Sequence, residues 1–175
     1  MNKEKVLEQI DGIVGFARRF YNEGHDFSPM FELVLRNKKD EINRVVLVLA
    51  DYETTEKRFE IIEALGKKVA KGVLPQAIGC TPEGIFTASE AWVSIYPKDV
   101  DMNKMPMPRN DPNRKEMFII AASTIEGENY FKALEIKRGD KIELIESKEA
   151  SDWESMDNRL HKRFWDGYFS ILPKT

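Results

Sequence analysis

Two carboxylates and a guanidinium stand where they could do acid–base chemistry: Glu90 in the run E-A-W, and Arg114 and Glu116 in the run D-P-N-R-K-E. Paired carboxylates can give and take a proton, and an arginine beside them can hold an anionic or polar substrate through forked hydrogen bonds. The stretch I-F-T-A-S-E-A-W-V-S-I-Y has the period of two of a strand, so Glu90, Trp92 and Tyr96 share a face with Phe86 and Ala88. Glu90 and Glu116 are therefore the candidate catalytic residues, and Arg114, Trp92 and Tyr96 the candidate ligand-binding residues. A structural role competes with this. If that face is core, the Glu90 carboxylate needs an ion-pair partner, because a buried unpaired charge is strongly destabilising. Arg114, just ahead of the next strand, is the expected partner and would pin the preceding loop to the sheet.

Nothing else completes a catalytic set. Cys80 stands alone and reads as a small core residue rather than a nucleophile, and Ser89 and Ser94 lack a nucleophile-elbow context. His25, which precedes Asp26, and His161 are far apart in sequence, and their spacing calls for no metal. No metal and no cofactor is assigned. The run R-L-H-K-R-F-W-D-G-Y-F-S could set Arg159, Lys162 and Arg163 against phosphates while Trp165 or Tyr168 stacks on bases. Its helical spacing favours a blander role, with the aromatics buried on the sheet and the basic residues complementing a helix C-terminus. Nucleic acid is thus not the favoured partner. Met105 and Met107 in M-P-M-P, on an extended proline-flanked arm, join Trp165 and Tyr168 as candidate partner contacts, since methionine makes adaptable surfaces.

The elements that must position these residues are legible in outline. Val6, Leu7, Ile10, Ile13, Val14, Ala17, Phe20 and Tyr21 form one helical stripe, with Gly24 as its C-terminal cap. P-M-F-E-L-V-L-R and V-V-L-V-L-A form a hairpin around N-K-K-D-E-I-N-R. The second strand, apolar on both faces, is expected at the centre of the sheet. A helix follows, capped by Thr54 or Thr55 and ending in lysines before Gly72, with Phe59, Ile62, Leu65 and Val69 buried. V-L-P-Q-A-I-G-C-T is expected to reach a turn at Pro82-Glu83-Gly84, after which the Glu90 strand runs on to Tyr96. Three further strands, K-E-M-F-I-I-A-A-S-T, N-Y-F-K-A-L-E-I-K-R and K-I-E-L-I-E, are joined by the glycine turns E-G-E and R-G-D-K. A last helix carries Trp153, Met156, Leu160 and Phe164 on one face, with Ser151 and Glu154 at capping-box spacing. Between the Glu90 strand and the next lies a long Pro/Met-rich loop, 97–114, in which Asp111-Pro112-Asn113 suits a type I turn.

The order of elements predicts a single α+β domain over 1–175, with a mainly antiparallel sheet of about five to seven strands and three packed helices. The acidic-aromatic E-A-W strand, the proline-rich loop and the D-P-x-R-x-E strand entry resemble an uncharacterised family of small prokaryotic and phage proteins. That resemblance covers the middle and later strands and implies a fold type without an activity.

At 42% hydrophobic and 33% charged residues, 175 residues can bury one core under a well-solvated surface. A net charge of −3 with both signs interspersed gives no global pull toward nucleic acid or an anionic membrane. One cysteine excludes an internal disulfide and suits a reducing, cytoplasmic setting. The N-terminus does not read as a signal peptide, and no apolar run is long enough to span a bilayer. The favoured expectation is a non-catalytic, self-associating interaction or ligand-binding protein, a homo-oligomer with another protein as a further candidate partner. The alternatives are a small enzyme with Glu90, Arg114 and Glu116 in a cleft under the 97–114 loop, and a nucleic-acid accessory protein.

Overall fold

The computed structural model describes residues 1–49, 54–94, 110–147 and 159–173. These form three α-helices and one six-stranded, fully antiparallel sheet, so the expected α+β class is observed. The helices are α1 (Lys3–Asn22), α2 (Thr55–Ala70) and α3 (Arg159–Phe169). The strands are β1 (Met30–Asn37), β2 (Ile42–Val48), β3 (Cys80–Val93), β4 (Lys115–Thr124), β5 (Asn129–Arg138) and β6 (Ile142–Glu146), in spatial order β2-β1-β3-β4-β5-β6. Among the described residues no helix is long and apolar enough to cross a membrane.

The sheet is a middle layer with helices on both faces. Helix α1 starts at Asn2, whose side chain accepts the Lys5 N–H at 3.0 Å, and it ends before Gly24 at φ +80°. It buries Val6, Ile10, Ile13, Val14, Ala17 and Tyr21 on Val34, Phe86, Phe118, Ile120, Leu134 and Leu144. Leu7 of the expected stripe is instead exposed. On the opposite face α2, capped by Thr54, and α3 cover Phe31, Leu33, Leu35 and Ile85. The two helices cross in very close contact. A Cβ at Gly66 would overlap the Phe164 carbonyl oxygen and lie 2.9 Å from the Tyr168 nitrogen, and one at Gly167 would overlap the Glu63 carbonyl oxygen.

Two expectations are corrected. Pro82-Glu83-Gly84 is no turn but lies inside β3, where the register against β1 shifts between Val34 and Leu35: Val34 faces Gly84 and Leu35 faces Pro82, leaving Glu83 over. A bulge tolerates a proline that cannot donate to the ladder, so turn-like residues punctuate a strand here without ending it. The second correction concerns β2, which is the outermost strand rather than a central one. Only its Val45 and Leu47 side reaches the core.

Candidate functional site

Glu90 and Glu116 do converge, on the α1 face at one end of the sheet, but around a different cation from the one expected. Arg138, at the end of β5, donates from Nη2 to Glu90 Oε2 at 3.1 Å. It also holds Glu116 by a two-pronged pair, Nε to Oε2 at 2.8 Å and Nη2 to Oε1 at 2.7 Å. Its Nη1 donates to Asp26 at 3.3 Å. The Tyr21 hydroxyl and the Phe27 N–H both donate to Glu90 Oε1, at 2.7 and 3.2 Å. Burial, then the Glu90 hydrogen bond, raises the Tyr21 pKa above its ordinary value, which keeps the phenol a donor. The bond to Glu116 is the main cause that raises the already high pKa of Arg138. Each oxygen of the two glutamates thus already accepts a charged or polar hydrogen, and the cluster ties the α1–β1 connection to β3, β4 and β5. This arrangement is a clamp. It leaves no carboxylate oxygen of this pair without a donor.

Arg114 places its guanidinium 4.6 Å from the centre of the Trp92 ring, and Trp92 is half exposed. Ahead of it, Asp111 is buried and accepts the Asn113 N–H at 2.8 Å, the turn expected from Asp-Pro-Asn. Tyr96, Met105 and Met107 lie outside the described residues, as do Trp153 and Met156. Tyr168 is buried against Phe164, and the Trp165 indole N–H donates to the Ser123 hydroxyl at 2.9 Å. Of the basic residues beside them, Arg159 and Arg163 lie over the Phe59 ring, Arg163 pairs with Glu63 at 3.3 Å and Lys162 with Asp166 at 2.7 Å.

The two histidines belong to opposite sides of the sheet. His25 follows α1 and rests against Phe20, while His161 of α3 is buried with Nε2 at 3.0 Å from the Thr87 hydroxyl. Its Nδ1 has no hydrogen-bond partner among the described residues, and burial pushes its pKa down to about 3. Among the described residues no group of three or more histidine, cysteine or acidic side chains converges as a metal site would require. Cys80 is half-buried on a cleft of about 540 Å³ that is also lined by Arg36, Lys38, Glu83 and Glu126, where Arg36 and Glu83 bind each other.

The feature that sequence reasoning misplaced is the β2 edge. The sheet has two outer strands, and they differ. β6 is five residues long, with Glu143 and Glu146 exposed along it. A short, charged strand is a usual way to keep an edge from pairing. β2 is seven residues of I-N-R-V-V-L-V, with one charge. Its neighbours Glu41 and Leu49 turn their backbone toward β1, through Asn37 N–H to Glu41 O at 3.0 Å and Leu49 N–H to Pro29 O at 2.6 Å. By the alternation of an antiparallel ladder, Ile42, Arg44, Val46 and Val48 present their N–H and C=O groups outward. The same four side chains stand on the α1 face, beyond the helix, where Ile42, Val46 and Val48 are 42, 53 and 49% exposed. Two adjoining clefts, of about 440 and 340 Å³, run between α1 and this strand and share Gln9, Gly12 and Arg44. Phe16, Met30 and Val46 line one of them, and Glu32 lies in its floor.

Comparison of the chain with protein-family models, curated proteins and solved structures gave no match.

Proposed function

We propose that this is a non-catalytic protein that acts through self-association, joining two copies edge to edge along β2 into one continuous sheet. The observation that carries this reading is the contrast between the two sheet edges: β6 is short and acidic with one exposed large apolar side chain, Ile145, whereas β2 is longer and offers outward-facing backbone beside three half-exposed apolar side chains. The sequence of β2 is self-complementary about a twofold axis at Val45. Ile42 then faces the partner's Val48, and Arg44 faces the partner's Val46. Every outward N–H and C=O of the strand meets another. A slip of two residues toward the N-terminus would set Arg44 against Arg44, which like charge disfavours. On the other face, Val73 and Ile78 are exposed on either side of the 3-10 turn Pro75–Ala77, which lies near β2.

An enzymatic reading at Glu90 and Glu116 has less support, because their oxygens are already engaged by Arg138, Tyr21 and the Phe27 amide. A cytoplasmic setting suits a chain with one cysteine.

Sedimentation velocity over a concentration series tests the proposal. The wild type should sediment as a dimer that dissociates on dilution, and Val46→Pro should sediment as a folded monomer, because the outward Val46 N–H makes no bond within the subunit's ladder. If that proline disturbs folding, Val48→Lys offers the same test with an edge-blocking charge. A wild type that stays monomeric at high concentration would overturn the reading.

A further inference from the structure

Glu32 is the most deeply buried charged side chain among the described residues, at 3% exposure. Its Oε2 accepts from the Gln9 amide at 2.8 Å, and its Oε1 lies 3.7 Å from the Nε of Arg44, longer than a hydrogen bond. Arg44 itself is 56% exposed. A carboxylate sunk in the sheet is thus held by one neutral amide and one loosely placed cation, with acceptor capacity left open to the cleft. In the β1–β2 ladder Glu32 faces Val46.

Resting on the edge-to-edge reading above, we infer that Glu32 is the register lock of the assembly, receiving the partner's Arg44 across Val46. The twofold pairing at Val45 sets the partner's Arg44 beside Val46, so that Glu32, Val46 and the partner's Arg44 form one row on three adjacent strands. Two strand spacings put the outer backbones about 10 Å apart. An arginine whose stem lies over Val46 spans that distance to a carboxylate reaching toward it. The symmetric contact forms at the same time. Desolvated by the seam, the two forked pairs are stronger than the open pair in a lone subunit, and any other register leaves Glu32 buried without its second cation. Gln9, on the α1 wall, orients the carboxylate by binding its far oxygen.

The inference predicts behaviour that differs from that of a pair confined within one subunit. Glu32→Gln keeps the shape and the Gln9 contact, and should weaken the dimer by about tenfold while flattening its salt dependence. Arg44→Gln, at an exposed position that tolerates change, should do the same. The decisive experiment mixes the two variants, each carrying its own fluorophore, and measures energy transfer. A mixed dimer retains one crossing pair, from Arg44 of the Glu32→Gln chain to Glu32 of the Arg44→Gln chain, whereas neither homodimer retains any. Mixed dimers should therefore exceed the binomial share. A binomial mixture, or variants that assemble like the wild type, would overturn the role of Glu32. If Val46→Pro dimerises as well as the wild type, the edge-to-edge seam itself is wrong, and the two failures are told apart.

Discussion

Glu32 and Val46 face each other across the β1–β2 ladder, one the most buried charged residue among the described strands and the other half exposed at the sheet's rim. Burial raises the Glu32 pKa, while the Gln9 hydrogen bond and the nearby Arg44 charge pull it back. A sheet that ended at β2 would hold that carboxylate with one neutral amide and one loosely placed cation. One that continued into a second copy would bury it beside a second arginine.

Arg138 should be the costliest surface residue to lose. Arg138→Ala leaves Glu90 and Glu116 facing each other without their common cation, and we expect a loss of about 2 kcal/mol, at the low end for such pairs because the guanidinium is partly exposed. Tyr21→Phe should cost about 1 kcal/mol through the missing donor to Glu90. Urea unfolding followed by circular dichroism reads both. If Arg138→Ala is neutral, the clamp is ornamental.

Gly167→Ala tests the crossing of α2 and α3. The added methyl has backbone, not a flexible side-chain tip, in its way, so the helices must separate. Overpacking of this kind costs about 3 kcal/mol, which thermal unfolding would report as a clear drop in Tm. An unchanged Tm would mean that the helices are not this close.

His161 predicts acid sensitivity in a defined window. Its pKa is pushed to about 3 in the fold against an ordinary value of about 6.5. Below that ordinary value the unfolded chain binds a proton that the folded one refuses, so stability is full above about pH 6.5 and falls as pH drops toward 3. The slope approaches about 1.4 kcal/mol per pH unit. Glu63 and Glu135, whose pKa values are lowered chiefly by hydrogen bonds to Lys67 and Lys137, add to the loss only at more acidic pH. Glu32, raised, works in the opposite sense. His161→Phe should flatten the stability profile between pH 5 and about 6.5. A wild-type profile that is already flat there would contradict the buried neutral imidazole.

Local patterns carried much of this fold. The period of two and the glycine turns gave the β4–β5–β6 meander, and the caps at Thr54 and Gly24 lie where composition put them. What failed was tertiary. Arg138 lies 48 residues from Glu90, with no local pattern linking them, whereas Arg114 was near and so was the expected partner. Gly66 and Gly167 look like ordinary helix interruptions until the two helices meet. Pro82-Glu83-Gly84 has turn chemistry that a bulge can also use. The run V-V-L-V-L reads as a strand covered on both faces, whereas among the described residues only its Val45 and Leu47 side meets the core, and I-N-R, which reads as turn, already belongs to β2.

Amide hydrogen exchange along β2, followed at rising protein concentration, tests the central claim most directly. In the assembled seam the N–H groups of Ile42, Arg44, Val46 and Val48 become donors across the interface. They should exchange freely in dilute protein and become protected as the dimer forms, while Asn43, Val45 and Leu47 stay protected throughout. If the outward amides remain unprotected at a concentration where the protein is already a dimer, the copies meet elsewhere and the β2 edge is not the docking surface.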